Sequence, residues 1–109
     1  MEKNIGLAVR KYEEAAAEGH VLAMNALGSL FYNDLKDHKQ AGEWFRKASE
    51  KGCARSLNNM ATCFEFGHGV PVDRDQAYQL YKESALKGHT QAMLNLAYLT
   101  NDNARLGKN

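Results

Sequence analysis

The sequence predicts an all-α fold, an α-solenoid of about six helices stacked as hairpins. Two observations carry this expectation. Small and large residues recur in fixed columns along the chain, and no segment alternates apolar and polar residues over a useful length, as a half-buried strand would. The columns are counted from three glycines, Gly19, Gly52 and Gly88, spaced 33 and 36 residues apart. Eleven residues before each stands an alanine (Ala8, Ala41, Ala77), and seven before stands an aromatic (Tyr12, Phe45, Tyr81). Four before stands a small residue (Ala15, Ala48, Ser84), and four after another (Ala23, Ser56, Ala92). Eight after comes a long apolar residue (Leu27, Met60, Leu96), nine after a small one (Gly28, Ala61, Ala97), and eleven after Leu30, Cys63 and Leu99. Self-similarity at such a period is the mark of a stacked repeat, whose single units bury too little to stand alone.

The elements follow from their ends. A first helix over about 5–18 starts behind Asn4 and stops at Gly19. A second covers about 20–33. Asp37 with Gln40 three residues later is a capping-box pattern, and opens a third helix over about 38–51. Gly52 stops it, and a fourth spans about 53–66. The stretch Phe66-Gly67-His68-Gly69-Val70-Pro71-Val72 holds turn residues and absorbs the three residues by which the second spacing exceeds the first. Asp73 and Gln76 repeat the capping pattern for a fifth helix over about 74–87. Gly88 separates it from a sixth over about 89–101, and 102–109 reads as a polar tail. Glycine suits the left-handed position that ends a helix.

Composition bounds the function. A chain of 109 residues allows one domain, and 44% hydrophobic with 25% charged residues is the balance of a globular protein. A formal net charge of +1 argues against a dedicated nucleic-acid binder. No run of about 18 apolar residues is present, so no membrane span is expected. Met1-Glu2-Lys3-Asn4 has no apolar signal-peptide core behind it. Cys53 and Cys63 fall on one helix, about 15 Å apart along its axis, too far for a disulfide. Free thiols fit a reducing compartment, so a cytoplasmic location is expected.

The motifs resemble a known family. Ala-Ala-Ala-Glu-Gly-His-x-x-Ala-x-x-Ala-Leu-Gly-x-Leu-Phe over 15–31 is similar to the Sel-1-like repeat, a relative of the tetratricopeptide repeat. So is Gly-His-Gly-Val-Pro-Val-Asp-Arg-Asp-Gln-Ala-Tyr-Gln-Leu-Tyr-Lys-Glu-Ser-Ala-Leu-Lys-Gly-His over 67–89. The resemblance covers roughly residues 4 to 100. Two departures stand out: the first loop, Asn33 to Lys39, lacks the glycine-rich motif, and Thr100 replaces the usual aromatic. The resemblance implies a right-handed α-α superhelix, a non-enzymatic adaptor or scaffold, and binding of a partner protein or extended peptide. It also implies that the helices over 20–33, 53–66 and 89–101 line the concave surface.

Helical spacing then names the groove positions between the core columns. They are Leu22, Asn25, Ser29 and Tyr32, then Arg55, Asn58, Thr62 and Glu65, then Gln91, Leu94, Tyr98 and Asn101. Asparagine can pair with a peptide N–H and C=O at once, and tyrosine offers apolar area plus a hydroxyl. The alternative is that these are solvated surface residues. Asn59 and Asn95 fall in a column where the resemblance implies asparagine, and a structural hydrogen bond is expected there. His20 and His89 share a column after the stop glycine and are expected to be structural. His38 and His68 belong to no metal-ligand spacing, and no Cys-x-x-Cys exists, so no metal or cofactor is expected. No nucleophile elbow, phosphate loop or dinucleotide fingerprint is present. Cys53 opens a helix but has no His–acid arrangement beside it. Arg55 is the only cation among the groove positions, which disfavours RNA. The sixth helix carries Met93, Leu94, Leu96, Ala97, Tyr98 and Leu99 around most of its circumference. Three explanations remain open for it: a longer array, docking on another copy or partner, or a tail that folds back.

Overall fold

The computed structural model describes residues 4–105, with side chains as far as Asn101. Among them the chain forms six helices and no strand: α1 (Ile5–Ala17), α2 (Val21–Ser29), α3 (His38–Glu50), α4 (Ala54–Phe66), α5 (Arg74–Leu86) and α6 (Thr90–Arg105). Each packs on its neighbours in sequence, giving an elongated body of 47 × 26 × 25 Å.

Local chemistry sets the helix ends. Asn4 Oδ1 accepts from Leu7 N at 3.0 Å, Asp37 Oδ1 from Gln40 N at 3.1 Å, and Asp73 Oδ1 from Gln76 N at 3.0 Å. Each satisfies a donor that the first turn leaves unpaired. The other ends share one motif. Gly19, Gly52 and Gly88 take φ of 91°, 88° and 94°. Their amides donate to Ala16, Ser49 and Ala85 carbonyls, and the next residues, His20, Cys53 and His89, donate back to Ala15, Ala48 and Ser84. That pair of bonds is the Schellman stop, and it needs a residue tolerant of positive φ. Nothing lies within 4 Å of a Cβ added at Gly88. Gly88→Ala is therefore expected to cost about 1–2 kcal/mol through backbone strain alone. Urea unfolding checks this, and Gly88→Asn should cost less.

Packing follows the columns. Ala41, Ala48, Ala61 and Ala77 are fully buried, which lets backbones approach, while Phe45 and Tyr81 fill the space beside them. The core is a chain of three clusters. One joins Ala16, Met24 and Ala48 of α1, α2 and α3, with Trp44 against it. The next joins Ala41 and Phe45 to Cys63 of α4. The last joins Leu57 and Ala61 to Ala77, Leu80 and Tyr81 of α5 and Leu99 of α6. Met60 packs against both of the latter two.

Two elements differ from the expected outline. Beyond Ser29, α2 widens into a π-helical turn over Leu30–Asp34, where Leu35 N donates to Leu30 O at 3.1 Å. The connection that follows is short, and Lys36 takes the left-handed conformation, φ 56°. In the longer second connection glycines Gly67 and Gly69 take that role, with φ of 73° and 79°. At the other end α6 continues to Arg105, past the expected end at 101. The rest of the expected tail, 106–109, lies outside the described residues.

Candidate functional site

Helices α2, α4 and α6 lie side by side and are tied by a ladder of amides. Asn59 Nδ2 on α4 donates to Asn25 Oδ1 on α2 at 3.0 Å, and Ser56 Oγ donates to the same oxygen at 2.7 Å. One repeat further, Asn95 Nδ2 on α6 donates to Asn58 Oδ1 on α4 at 3.0 Å. Asn25 and Asn58 are only 4% and 6% exposed. Their carbonyl oxygens are thus spent on the neighbouring helix, and these two side chains are not free surface amides. A helix-by-helix count of faces misses this, because it cannot see how closely the next helix passes. Gln91 Nε2 donates to Asn95 Oδ1 at 3.1 Å, extending the network to the surface of α6.

Beside the ladder runs a groove. A cavity of about 730 Å³ opens between α1 and α2, with Leu22, Asn25, Ser29 and Arg55 on its wall and Tyr12 across from them. A smaller one of about 120 Å³ lies between Ser29, Tyr32, Asn59 and Thr62, floored by Phe45. Ser29 and Asn33 line both. Tyr12, Asn33 and Asn59 were not among the expected groove residues. Of those expected, Glu65 accepts from Tyr81 Oη at 2.7 Å and belongs to the α4–α5 junction. Thr62 Oγ1 donates toward the Asn58 carbonyl at 3.1 Å. Gln91, Leu94, Tyr98 and Asn101 stand exposed on α6.

Tyr32 closes one end of the groove. Its hydroxyl is hydrogen-bonded to Nδ1 of His68, in the connection of the next repeat. Its ring lies 4.6 Å from that of His38, which stacks on His68 at 4.5 Å. The connection can come this close because of Gly69, where a Cβ would fall 2.6 Å from the His38 carbonyl oxygen. Burial raises the Tyr32 hydroxyl pKa, and Cys63 adds to the shift.

Both cysteines are free, and burial pushes the Cys63 thiol up to about 11. Among the described residues no group of three or more His, Cys, Asp or Glu could hold a metal. A raised acid pKa means that the unfolded chain ionises first as pH rises. The stability associated with neutral Cys63 is therefore whole below pH 9 and declines toward about 11. Tyr81 is raised in the same direction by burial, and its contribution begins to fall above pH 10. Urea midpoints from pH 8 to 11 should show both declines, and Cys63→Ala should remove the part that starts near pH 9.

Comparison with known proteins supplies a likeness. The model of the Sel1 repeat matches residues 1–20, 21–53 and 54–89. Its divisions fall between α1 and α2 and at the start of α4, so the two complete matches are the hairpins α2–α3 and α4–α5. No curated protein matches the sequence significantly. Among solved structures, a protective antigen of uropathogenic Escherichia coli strains with an SLR fold is 29% identical, with a TM-score of 0.82 over 93% of this chain. A Sel1 repeat protein from Oxalobacter formigenes is 27% identical, with a TM-score of 0.73 over 81% of this chain. This chain spans 22% and 37% of the length of those two. No helix among the described residues is long and apolar enough to cross a membrane.

Proposed function

The chain belongs to the Sel1 repeat family, and from that premise we propose that it is an adaptor holding a partner protein or extended peptide on its concave face. Sel1 repeat proteins are generally helical-repeat scaffolds for protein–protein interaction. The observation that carries the concave-face reading is the pair of cavities that share Ser29 and Asn33 and continue along α2 toward α4. Leu22 offers apolar area, Arg55 a charge, and Ser29 and Asn33 polar groups on the wall of the larger cavity. An extended segment recognised by alternate apolar and polar contacts fits such a wall. No redox, metal or group-transfer chemistry enters this reading; the work of the surface is binding.

A display library of random peptides, selected on the wild-type chain, tests it. Selected peptides are expected to lose at least about tenfold in affinity for Leu22→Glu/Ser29→Arg, and to bind Lys82→Glu on exposed α5 as they bind wild type. Equal binding to all three proteins would move the interface off the groove. A second reading, self-assembly through α6, is favoured by the exposure of Met93, Leu94 and Tyr98 on that helix.

A further inference from the structure

Within the described residues, α1 and α6 show faces that the helices between them cover. Five and nine residues after the stop glycine, α2 and α4 carry Met24 and Gly28, and Leu57 and Ala61, all buried. On α6 the same positions are Met93, 48% exposed, and Ala97, also exposed. Helix α1 shows the converse. Its column aromatic, Tyr12, is 38% exposed, whereas Phe45 and Tyr81 in that column are 2% and 1%. Inside the chain these two kinds of face meet. Phe45 sits so tightly on Gly28 that a Cβ there would lie 2.5 Å from the ring, and Tyr81 shares a cluster with Ala61. Thus α6 presents an unfilled seat, and α1 an unseated aromatic.

The amide ladder points the same way. At both internal steps, the residue six after one stop glycine meets the residue seven after the next: Asn25 with Asn59, and Asn58 with Asn95. The residues that would form the following step at either end are Leu94 on α6 and Ala26 on α2. Both are apolar. A neighbour bringing asparagine to either would bury an amide against carbon, whereas Leu94 and Ala26 suit each other. Ala26 lies with Ile5, Ala8 and Tyr12 on the wall of the large cavity between α1 and α2. That cavity is where the interior pattern would place a helix of the α2, α4, α6 series.

We propose that this surface receives a second copy of the chain, head to tail. Helix α6 of one copy lies in the α1–α2 groove of the next, with Ala97 under Tyr12 and Leu94 against Ala26. The contact continues the α2–α3 and α4–α5 packing already present within one chain. Its two surfaces differ, so repetition gives a ring or a filament, not a closed two-fold dimer. This deepens the self-assembly reading, and because it fills the same cavity between α1 and α2 it excludes a peptide there; its variants differ from those that test the peptide groove.

Sedimentation velocity on the purified chain, from about 1 μM to about 1 mM, is the test. Wild type is expected to grow in mass with concentration. Ala97→Arg and Tyr12→Arg alter exposed positions and should each stay monomeric, with circular dichroism confirming the fold. Mixed, they should form one-to-one dimers only, because each keeps the face that the other lost. Leu94→Asn should weaken association about tenfold, and Leu94→Asn/Ala26→Asn should recover it by rebuilding the internal amide pair. Wild type that stays monomeric throughout, or a mixture that stays monomeric, overturns the proposal. So does Tyr12→Arg that still dimerises, which would show a symmetric contact between two α6 helices.

Discussion

Tyr81→Ala is expected to lower stability by about 3–5 kcal/mol, a large share of the roughly 5–15 kcal/mol that holds a small domain together. The ring is almost fully buried among Leu57, Ala61, Ala77 and Leu99, where α4, α5 and α6 meet. Its hydroxyl donates to Glu65 at 2.7 Å and lies 3.1 Å from Thr62 Oγ1. Removal leaves a cavity in the cluster and takes a donor from Glu65. Tyr81→Phe keeps the ring and should cost only about 1 kcal/mol. Because repeats of a solenoid support one another only through their neighbours, the damage should centre on the α4–α5 junction. Urea unfolding of both variants checks the expectation. A loss below about 1 kcal/mol for Tyr81→Ala would mean that the ring does not fill this junction.

Asn25→Ala should be nearly as severe, at about 2–4 kcal/mol, since two donors lose one acceptor. Ser56 Oγ and Asn59 Nδ2 both end on Asn25 Oδ1, and Ser56 is fully buried. The sequence itself suggests the rescue. Where α4 has Ser56, α2 and α6 have Ala23 and Ala92, and on α6 the equivalent acceptor, Asn58 Oδ1, is served by Asn95 alone, so an alanine is tolerated in that column. Ser56→Ala in the Asn25→Ala background should therefore restore about 1 kcal/mol or more, although Ser56→Ala alone is destabilising. A double-mutant cycle reads this directly. Purely additive losses would show that the two side chains are not coupled.

Much of the fold was legible because its signals are local. Asn4, Asp37 and Asp73 cap helices through contacts three residues away, and Gly19, Gly52 and Gly88 stop them within the same turn. The columns Ala41, Phe45 and Ala48, or Ala77, Tyr81 and Ser84, announce close packing by their sizes alone. What stayed hidden depends on partners far along the chain. Tyr32 has the spacing of a groove residue, yet its hydroxyl is held by His68, 36 residues on. Asn25 and Asn58 also have groove spacing, and their partners stand 34 and 37 residues away. A trace of that pairing was in the sequence: asparagine recurs six residues after two stop glycines and seven after two. The π-helical turn at Leu30–Asp34 left no such trace, because it depends on how α2 meets its short connection to α3.

The division between the small-residue columns and the groove has an evolutionary side. Gly28, Ala41, Ala48, Ala61 and Ala77 govern how near the helices lie, and so the curvature of the array. Leu22, Ser29 and Arg55 line the cavity, and in the proposed binding role they would govern what meets that curve. In that role a lineage could exchange one specificity for another by surface substitutions, with the scaffold's shape inherited unchanged. Asn25 and Asn58 are where the two inheritances cross, since each stitches neighbouring helices from a groove-spaced position. Diversification is expected to flow around those two residues and to alter them only together with their partners on the next helix.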